Sequence, residues 1–497
     1  MKTADGSLGV LFRAVFTLAF CAALAGPGAR QARGQDRSTP AGKIERLNRA
    51  PVNKEVLRVQ LPRPTITKLK NGLTVVLLED HKLPTVAFTM WIRPGQLGDP
   101  GDLPGLASFT ASMLREGTAH RTSAQIAEEA DALGATLNAN SAFGAGYTAV
   151  TASGLINDSE HLLDLMSDIV LHPSFPAGEL IQYKQREQAA LDQRLGNPGF
   201  LAQQAFRRVL YGEAPLSVAS PTKESVEKVT AEDLRRFHDQ HYRPGNTLLG
   251  VTGDFKTEEI RALVEKYLAA WAGEAEQPVS LPGSFTPQPT RITLVDRPAS
   301  VQTFIIAGNR AIRRTDPDYY ALTVMNQVLG GGPQARLFLD LREEHSYTYG
   351  AYSRFAAENY AGDWNSSAAV RTSVTDGSME RFIYEFKRIS DEPVLPGELE
   401  DARRAIVAGF ALSLERPAEL LNNILEVQLL ALPADYWDKY PDRISAVSAA
   451  DLQAAAKKYV DLAHMQWVCV GDRKQIQNVL AKYGTVTVID AEGRPQN

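Results

Sequence analysis

The sequence is poor in cysteine, since only Cys21 and Cys469 carry a thiol among 497 residues. If the N-terminal segment described below is removed, Cys469 remains alone and no intrachain disulfide can form. The fold must then rest on its hydrophobic core. A chain of this length predicts two or more domains.

Long apolar runs and an excess of basic residues are also missing. Past the N-terminus no stretch approaches the roughly 20 uninterrupted apolar residues of a transmembrane helix, so we predict no membrane span. A chain that starts after Gly34 has 49 basic and 57 acidic residues, a net charge of −8. This charge argues against nucleic acid or an anionic membrane as the partner.

The N-terminus has the pattern of an export signal. Basic residues precede a short, mostly apolar run that ends at Ala25 in small residues. We interpret residues 1–34 as a signal peptide, and cleavage after Ala25 and cleavage after Gly34 both fit. A lipoprotein acylated at Cys21 is the disfavoured alternative, because bulky Phe20 precedes that cysteine. Residues 35–62 are predicted to be a flexible segment, and the mature protein is expected to be periplasmic or secreted.

An internal repeat of about 220 residues organises the remainder of the chain. The segment VTAEDL at 229–234 recurs as VSAADL at 447–452, and VTGD at 251–254 recurs as CVGD at 469–472. Both matches have the same offset of 218 residues. Two matches in one register indicate that the two halves of the chain share a fold.

The order of local signals is also shared by the two halves. Residues 65–93 predict a hairpin that turns at Asn71-Gly72, followed by a further strand. Helical periodicity follows at 105–115, 122–133 and 158–171. Thr122 or Ser123 and Asn157 are the expected helix caps.

We therefore predict an α+β fold of two homologous repeat domains, each with helices packed on a mainly antiparallel sheet. The domains are expected at residues 63–276 and 291–490. The segment 277–290, rich in proline and glycine, is the predicted linker.

One helix resembles the signature of a known family. Residues 105–118, GLASFTASMLREGT, resemble the pattern G-L-A-H-F-x-E-H-M-L-F-x-G-T of the pitrilysin/insulinase family of zinc metallopeptidases. In that family two histidines at i and i+4 ligate zinc, and the glutamate before the second histidine activates water. Here the three positions hold Ser108, Ala111 and Ser112. The resemblance therefore implies that this chain holds no catalytic zinc.

The third zinc ligand of the family is a glutamate on a later helix. It maps to Gln193, with Glu187 and Asp192 as the alternatives. None of the three would restore the ligand set by itself, because two imidazoles are already missing.

A second family motif is intact. The segment LREEHSYTYG at 341–350 keeps the family's arginine and tyrosine, seven residues apart, as Arg342 and Tyr349. The pattern predicts that Arg342 ends a helix and that Tyr349 starts a strand, so both polar groups could converge on a cleft. There they would donate hydrogen bonds to a peptide carbonyl or to its developing oxyanion. The structural alternative is a helix-end arginine and a half-buried strand tyrosine.

Two further motifs receive structural interpretations. We interpret His238 and His241 as residues of a surface helix, because the second repeat has Ala456 and Tyr459 at those positions. Gly330–Gly332 lack the lysine and hydroxyl residue of a phosphate loop and are interpreted as a turn.

The resemblance also suggests how the chain works. The family has bacterial two-subunit members in which one chain carries zinc and the other carries the arginine/tyrosine pair, and this sequence resembles the second kind. The implied partner is a zinc-bearing subunit of the same family, and the implied substrate is an unfolded peptide enclosed between the two subunits. An edge strand near Leu137–Ser141 or in the second repeat would pair with the peptide backbone. A non-catalytic scaffold or peptide-holding protein of the same fold is the alternative, whereas no motif supports a homodimeric enzyme with another mechanism.

Overall fold

The computed structural model describes residues 58–277, 279, 281 and 288–496. The predicted signal peptide, most of the segment 35–62 and much of the linker 277–290 lie outside these residues. Within the described ranges, no helix combines the length and the apolar character that crossing a membrane requires.

The first half of the described chain begins with a hairpin and ends with a helix. Its elements are β1 Thr65–Lys68, β2 Thr74–Glu79, β3 Thr85–Ile92, α1 Leu106–Met113, α2 Ser123–Ala132, β4 Thr136–Asn140, β5 Thr148–Leu155, α3 Ser159–Leu171, α4 Ala177–Leu195, α5 Pro198–Tyr211, α6 Lys223–Lys228, α7 Ala231–His241, β6 Thr247–Gly253 and α8 Thr257–Leu268.

The second half repeats this order with local changes. Its elements are β7 Arg291–Asp296, β8 Gln302–Arg310, α9 Tyr319–Gly330, α10 Arg336–Phe338, which continues as a π-helix Leu339–Glu344, β9 Thr348–Phe355, β10 Asp363–Arg371, α11 Thr375–Asp391, α12 Pro396–Ser413, α13 Pro417–Leu429, α14 Tyr440–Ala446, α15 Ala449–Tyr459, β11 Gln466–Gly471, α16 Arg473–Leu480 and β12 Val486–Ile489.

The strands form two six-stranded sheets, one from each half. Their orders are β1-β2-β6-β3-β5-β4 and β12-β7-β11-β8-β10-β9. The pairs β2/β6, β7/β11 and β7/β12 are parallel, and the other neighbouring pairs are antiparallel. The predicted α+β fold with two mainly antiparallel sheets is thereby confirmed. The strand order β3-β5-β4 of the first sheet recurs as β8-β10-β9 in the second sheet. Strands β4 and β9 therefore occupy equivalent edge positions.

The turn between β1 and β2 forms at the predicted residues. Gly72 has φ of 97°, a left-handed conformation that favours glycine. The side-chain amide of Asn71 donates to the carbonyl oxygens of Leu268 and Trp271 at 2.7 and 3.0 Å. The asparagine therefore ties the hairpin to the end of α8 as well as starting the turn.

The repeated sequence motif forms the same helix start in both halves. Thr230 caps α7 and Ser448 caps α15, each through a reciprocal capping box with the aspartate three residues later. The predicted cap at Asn157 is wrong. Residues Ile156–Asp158 form a 3₁₀ turn, and Asp158 precedes α3 without a side-chain cap hydrogen bond.

Helices α5 and α13 are exchanged between the halves. Both begin with a proline, Pro198 and Pro417, which occupy equivalent repeat positions. Leu421, Ile424 and Leu425 of α13 pack against Val76, Leu78 and Trp91 of the first sheet. In return, α5 packs on the second sheet through residues that include Leu201, Ala202, Phe206, Ile306, Val468 and Val470.

Close packing accompanies this exchange. A Cβ atom added at Gly250 of β6 would lie 2.9 Å from side-chain carbons of Leu421 and Leu425. A Cβ at Gly199 of α5 would lie 3.2 Å from the ring of Phe304. The exchanged helices therefore rest directly on the backbone of the opposite half, and each sheet is covered on both faces.

Candidate functional site

Helix α1 carries the three positions of the degenerate zinc motif. Its N-terminus is fixed by the carboxylate of Asp99, which accepts hydrogen bonds from the backbone N–H groups of Gly105 and Ala107, both at 2.7 Å. Burial raises the pKa of Asp99 to about 7. Ser108 and Ser112 are one helical turn apart and are partly buried, whereas Ala111 is fully buried.

Tyr183 of α4 packs against this part of α1. Its hydroxyl donates a hydrogen bond to Oγ of Ser112 at 3.0 Å, and its ring meets Phe109 edge to face at 5.6 Å between centroids. Burial raises the pKa of the Tyr183 phenol. The group over the motif is therefore a neutral hydroxyl that already has an acceptor.

These side chains do not fit a zinc ion. Zinc in proteins takes thiolate, imidazole and carboxylate ligands, whereas the donors here are the hydroxyls of Ser108, Ser112 and Tyr183. Ala111 offers only a methyl group where a general base would be needed. The chemistry of the donor set, and the hydrogen bond from Tyr183 to Ser112, disagree with a zinc centre on this helix.

The three candidates for the third ligand lie farther along α4. Gln193 is exposed and ten residues beyond Tyr183, a helical rise of about 15 Å. Asp192 pairs with Lys223 at 2.8 Å, and Glu187 pairs with Arg194. The structure thus brings Tyr183 to the motif, and it does not bring Gln193 there. Nothing in the sequence analysis had singled out this tyrosine.

Arg342 lies in the π-helix that continues α10. Leu337, Phe338 and Leu341 are buried, as the sequence pattern predicts. The guanidinium of Arg342 lies over the ring of Phe338 at 4.9 Å from its centroid, and its side chain is 46% exposed. Its Nε is 3.4 Å from a carboxylate oxygen of Glu343. Such an exposed pair contributes little to stability, so the guanidinium is available to another acceptor.

A buried ion pair anchors the π-helix to α11. Asp340 is 4% exposed and accepts three hydrogen bonds from Arg381 of α11 at 2.6 to 2.9 Å. Nδ1 of His345 is also 2.9 Å from this carboxylate. Asp340, Glu344 and His345 are close enough together to be drawn as a metal site. The bidentate guanidinium already occupies the carboxylate, so we assign Asp340 a structural role.

Tyr349 lies at the start of β9, an edge strand, and 88% of its surface is exposed. It lines a cleft of about 840 Å³ together with Arg342. Other walls come from Val301, just before β8, and from Arg371 at the end of β10. The structure therefore brings the predicted pair to one open cleft at the end of the second sheet.

The segment between the pair is held at a second point. Nη1 of Arg371 donates to the carbonyl oxygen of Ser346 at 2.9 Å. Ser346 itself has φ of 55°, an unusual conformation for a residue other than glycine. Residues 340–349 are thus fixed by α11 at one end and by β10 at the other. The sequence analysis missed both anchors, because neither is local in the chain.

The two rejected motifs also have defined surroundings. His238 and His241 lie on α7, which is a surface helix as predicted, because Arg235, Arg236, Asp239 and Gln240 are exposed. The two histidines occupy its buried face, at 9% and 7% exposure. Their ring nitrogens have separate partners: the carbonyl of Val170 at 2.8 Å for His238 and Glu276 at 2.7 Å for His241. Gly330 ends α9 where a Cβ would meet the backbone of Ser353 at 2.3 Å. Close packing on β9 explains this glycine.

Comparisons with known proteins agree with the fold. A family model described as insulinase (peptidase family M16) matches residues 74–211, and one described as peptidase M16 inactive domain matches residues 228–406. The crystal structure of a peptidase M16 inactive domain from Pseudomonas fluorescens has a TM-score of 0.77 and 26% identity, covering 83% of this chain and 98% of that chain.

Two relatives match this chain over most of their own length. The uncharacterized zinc protease YmxG of Bacillus subtilis is 23% identical over 393 residues, which are 78% of this chain and 94% of that protein. The probable mitochondrial-processing peptidase subunit beta of Arabidopsis thaliana is 24% identical over 418 residues, 80% of this chain and 76% of that protein.

Two repeated α+β halves, with a helix in the first half that resembles the inverted zinc motif, are the architecture of the insulinase-type peptidases. The two family models together match more than half of the chain. The chain belongs to peptidase family M16, the insulinase family, as the sequence predicts. In this chain the helix that resembles the family's zinc motif carries Ser108, Ala111 and Ser112.

Proposed function

We propose that this chain is the zinc-free subunit of a heteromeric M16 peptidase and acts only with a zinc-bearing partner of the same family. The observation that carries the proposal is a contrast within one chain. The helix that would hold zinc has hydroxyl and methyl side chains closed by Tyr183, while Arg342 and Tyr349 line an open cleft.

The partner would supply the zinc and the water-activating glutamate. This chain would bind part of the peptide and donate hydrogen bonds from Arg342 and Tyr349 to the carbonyl whose charge grows during hydrolysis. The side chain of Tyr349 is 88% exposed and that of Arg342 is 46% exposed, so a substrate could reach both donors. Losing one such donor typically lowers turnover by about 10²–10³-fold.

Backbone pairing would hold the peptide near these donors. Strand β9 carries Tyr349 and lies at the edge of its sheet, and β4 at Thr136–Asn140 has the equivalent edge position in the first half. An edge strand offers unpaired N–H and C=O groups that an extended peptide can use. The export pattern in residues 1–34 would place the complex in the periplasm or outside the cell.

The first experiment is a co-purification of the exported chain from its own cells, with metal analysis of each subunit. We expect a second M16 chain with an intact H-x-x-E-H motif to co-purify and to hold the zinc. This chain alone should bind no stoichiometric zinc and cleave no peptide. About one tightly bound zinc per isolated chain would contradict the proposal.

The sharper experiment is Tyr349→Phe in the purified complex. The substitution removes one hydroxyl and keeps the ring, so assembly should survive while turnover falls by about 10²-fold or more. Tyr352→Phe is the matched control. Tyr352 lies on the same strand, its ring is 5.6 Å from that of Phe338 between centroids, and it does not line the cleft. Unchanged turnover of the Tyr349→Phe complex on several unrelated peptides would assign this chain to the scaffold class instead.

A further inference from the structure

A second cavity lies where the two halves meet, apart from the cleft at Arg342 and Tyr349. Its volume is about 270 Å³, and both halves line it. The first half contributes Trp91 of β3 and Tyr147, just before β5. The second half contributes Glu358 and Tyr360 from the β9–β10 connection and Glu426 of α13. It therefore exists only because the exchanged helix α13 lies against the first half.

The cavity has more acid than base in its walls. Glu426 faces the guanidinium of Arg314, with 3.4 Å between the nearest atoms. No hydrogen bond or ion pair from another described residue reaches the carboxylate of Glu358. Glu358 is exposed, whereas Glu426 is partly buried, and burial raises the pKa of Glu426. Two carboxylates thus line the cavity, and the guanidinium of Arg314 pairs with the carboxylate of Glu426.

The remaining walls suit an organic cation better than a metal ion. Trp91 and Tyr147 are stacked, with 4.4 Å between ring centroids. Leu429 and Leu430 provide an apolar side. Aromatic faces and carboxylates attract a cationic head group, and the leucines can cover an alkyl stem. A bare divalent ion would need more oxygen ligands at closer range.

The repeat provides an independent comparison. Position 426 in α13 corresponds to Arg207 in α5, because each lies nine residues after the proline that starts its helix. The guanidinium of Arg207 donates to the carbonyl oxygens of Leu216 at 2.8 Å and Phe143 at 3.3 Å. In the first half the chain's own cation fills this position beside the strand connection. In the second half a carboxylate stands there, and the space is open.

We propose that this cavity binds a small alkylammonium cation, with the ammonium group between Glu358 and Glu426 and the stem against the Trp91/Tyr147 stack. The same head group occurs in free diamines and in the lysine side chain of a peptide. The site does not depend on the proposed peptidase role, since none of these residues lines the cleft at Arg342 and Tyr349.

The test is isothermal titration calorimetry on the purified chain with three probes: cadaverine, N-acetyl-lysine methylamide and the neutral N-acetyl-norleucine methylamide. We expect saturable binding of at least one cation with one site per chain, and no saturable binding of the norleucine compound. Tighter binding of cadaverine would identify a free amine as the ligand, and tighter binding of the lysine compound would identify a peptide side chain.

Glu358→Gln should weaken binding by about ten-fold or more, because it removes a charge-assisted hydrogen bond and keeps the side-chain shape. Glu128→Gln, an exposed change on α2, is the matched control and should bind as the unmodified chain does. Circular dichroism and the thermal midpoint would establish that both variants fold. No saturable binding of either cation, equal binding of the neutral probe, or equal affinity of Glu358→Gln would each overturn the proposal.

Discussion

Replacing Leu421 by alanine tests the exchange of helices most directly. Leu421 is fully buried and packs against the sheet of the first half, although it belongs to the second half. Core leucine-to-alanine changes cost about 2–5 kcal/mol, depending on how far the site can collapse. Here collapse is restricted, because Leu421 rests on the backbone at Gly250 of β6. We therefore expect a loss of about 3–5 kcal/mol.

The assay is urea denaturation followed by tryptophan fluorescence and far-UV circular dichroism. Leu412→Ala on α12 is the control, since this leucine is 64% exposed and should change stability by less than about 0.5 kcal/mol. Amide hydrogen exchange adds the decisive observation, because the variant should lose protection in β2 and β6 of the first half. A loss below about 1 kcal/mol, or lost protection confined to the second half, would refute the argument.

Two further predictions concern the degenerate motif helix. Because the pKa of Asp99 is raised to about 7 in the folded chain, the folded state retains this proton above the unfolded pKa of about 3.9. Its contribution to stability is therefore complete below about pH 4 and is lost as the pH rises through 7. Asp99→Asn removes the titrating group but keeps an oxygen acceptor for only one of the two N–H groups, which use separate oxygens of Asp99. The variant should therefore be less stable overall, and its pH dependence should be flatter by at most about 1.4 kcal/mol per pH unit; parallel curves for both chains in a pH series of urea titrations would contradict the assignment. The triple change Ser108→His, Ala111→Glu and Ser112→His should yield at most weak zinc binding and no efficient hydrolysis. The reason is that Tyr183 covers the helix and supporting ligands are missing. Robust cleavage of peptides by the isolated variant would show that the remaining site is more complete than we infer.

The repeat in the sequence predicted the fold well for a physical reason. The segments at 229–234 and 447–452 encode a helix cap and the first buried turn. These interactions are local, so neighbouring residues in the sequence are enough to predict them. The hairpin at Asn71-Gly72 and the strand that bears Tyr349 are local in the same sense. The arginine/tyrosine spacing located the cleft because both residues lie on short elements joined by a tight connection.

What the sequence could not predict depends on contacts between distant residues. No local pattern in the sequence shows that α5 and α13 each cover the sheet of the opposite half. The burial of His238 was not predicted, because its ring depends on a backbone partner at Val170, 68 residues earlier. Gln193 was chosen by matching the sequence to the family's pattern, whereas the residue that faces the motif depends on where α4 crosses α1. Tyr183 offered no local signal beyond its position on an amphipathic helix.

The exchange of α5 and α13 also bears on how such a chain could arise. A single half with this architecture would leave the outer face of its sheet bare while projecting a helix that fits the same face of another copy. Two identical halves related by a two-fold axis would cover each other completely. A symmetric homodimer with swapped helices would therefore be self-sufficient, and joining two copies in one chain would need only a connection long enough to span them. In such a chain each half can change separately, so a substitution on α1 of the first half leaves Arg342 and Tyr349 of the second half in place.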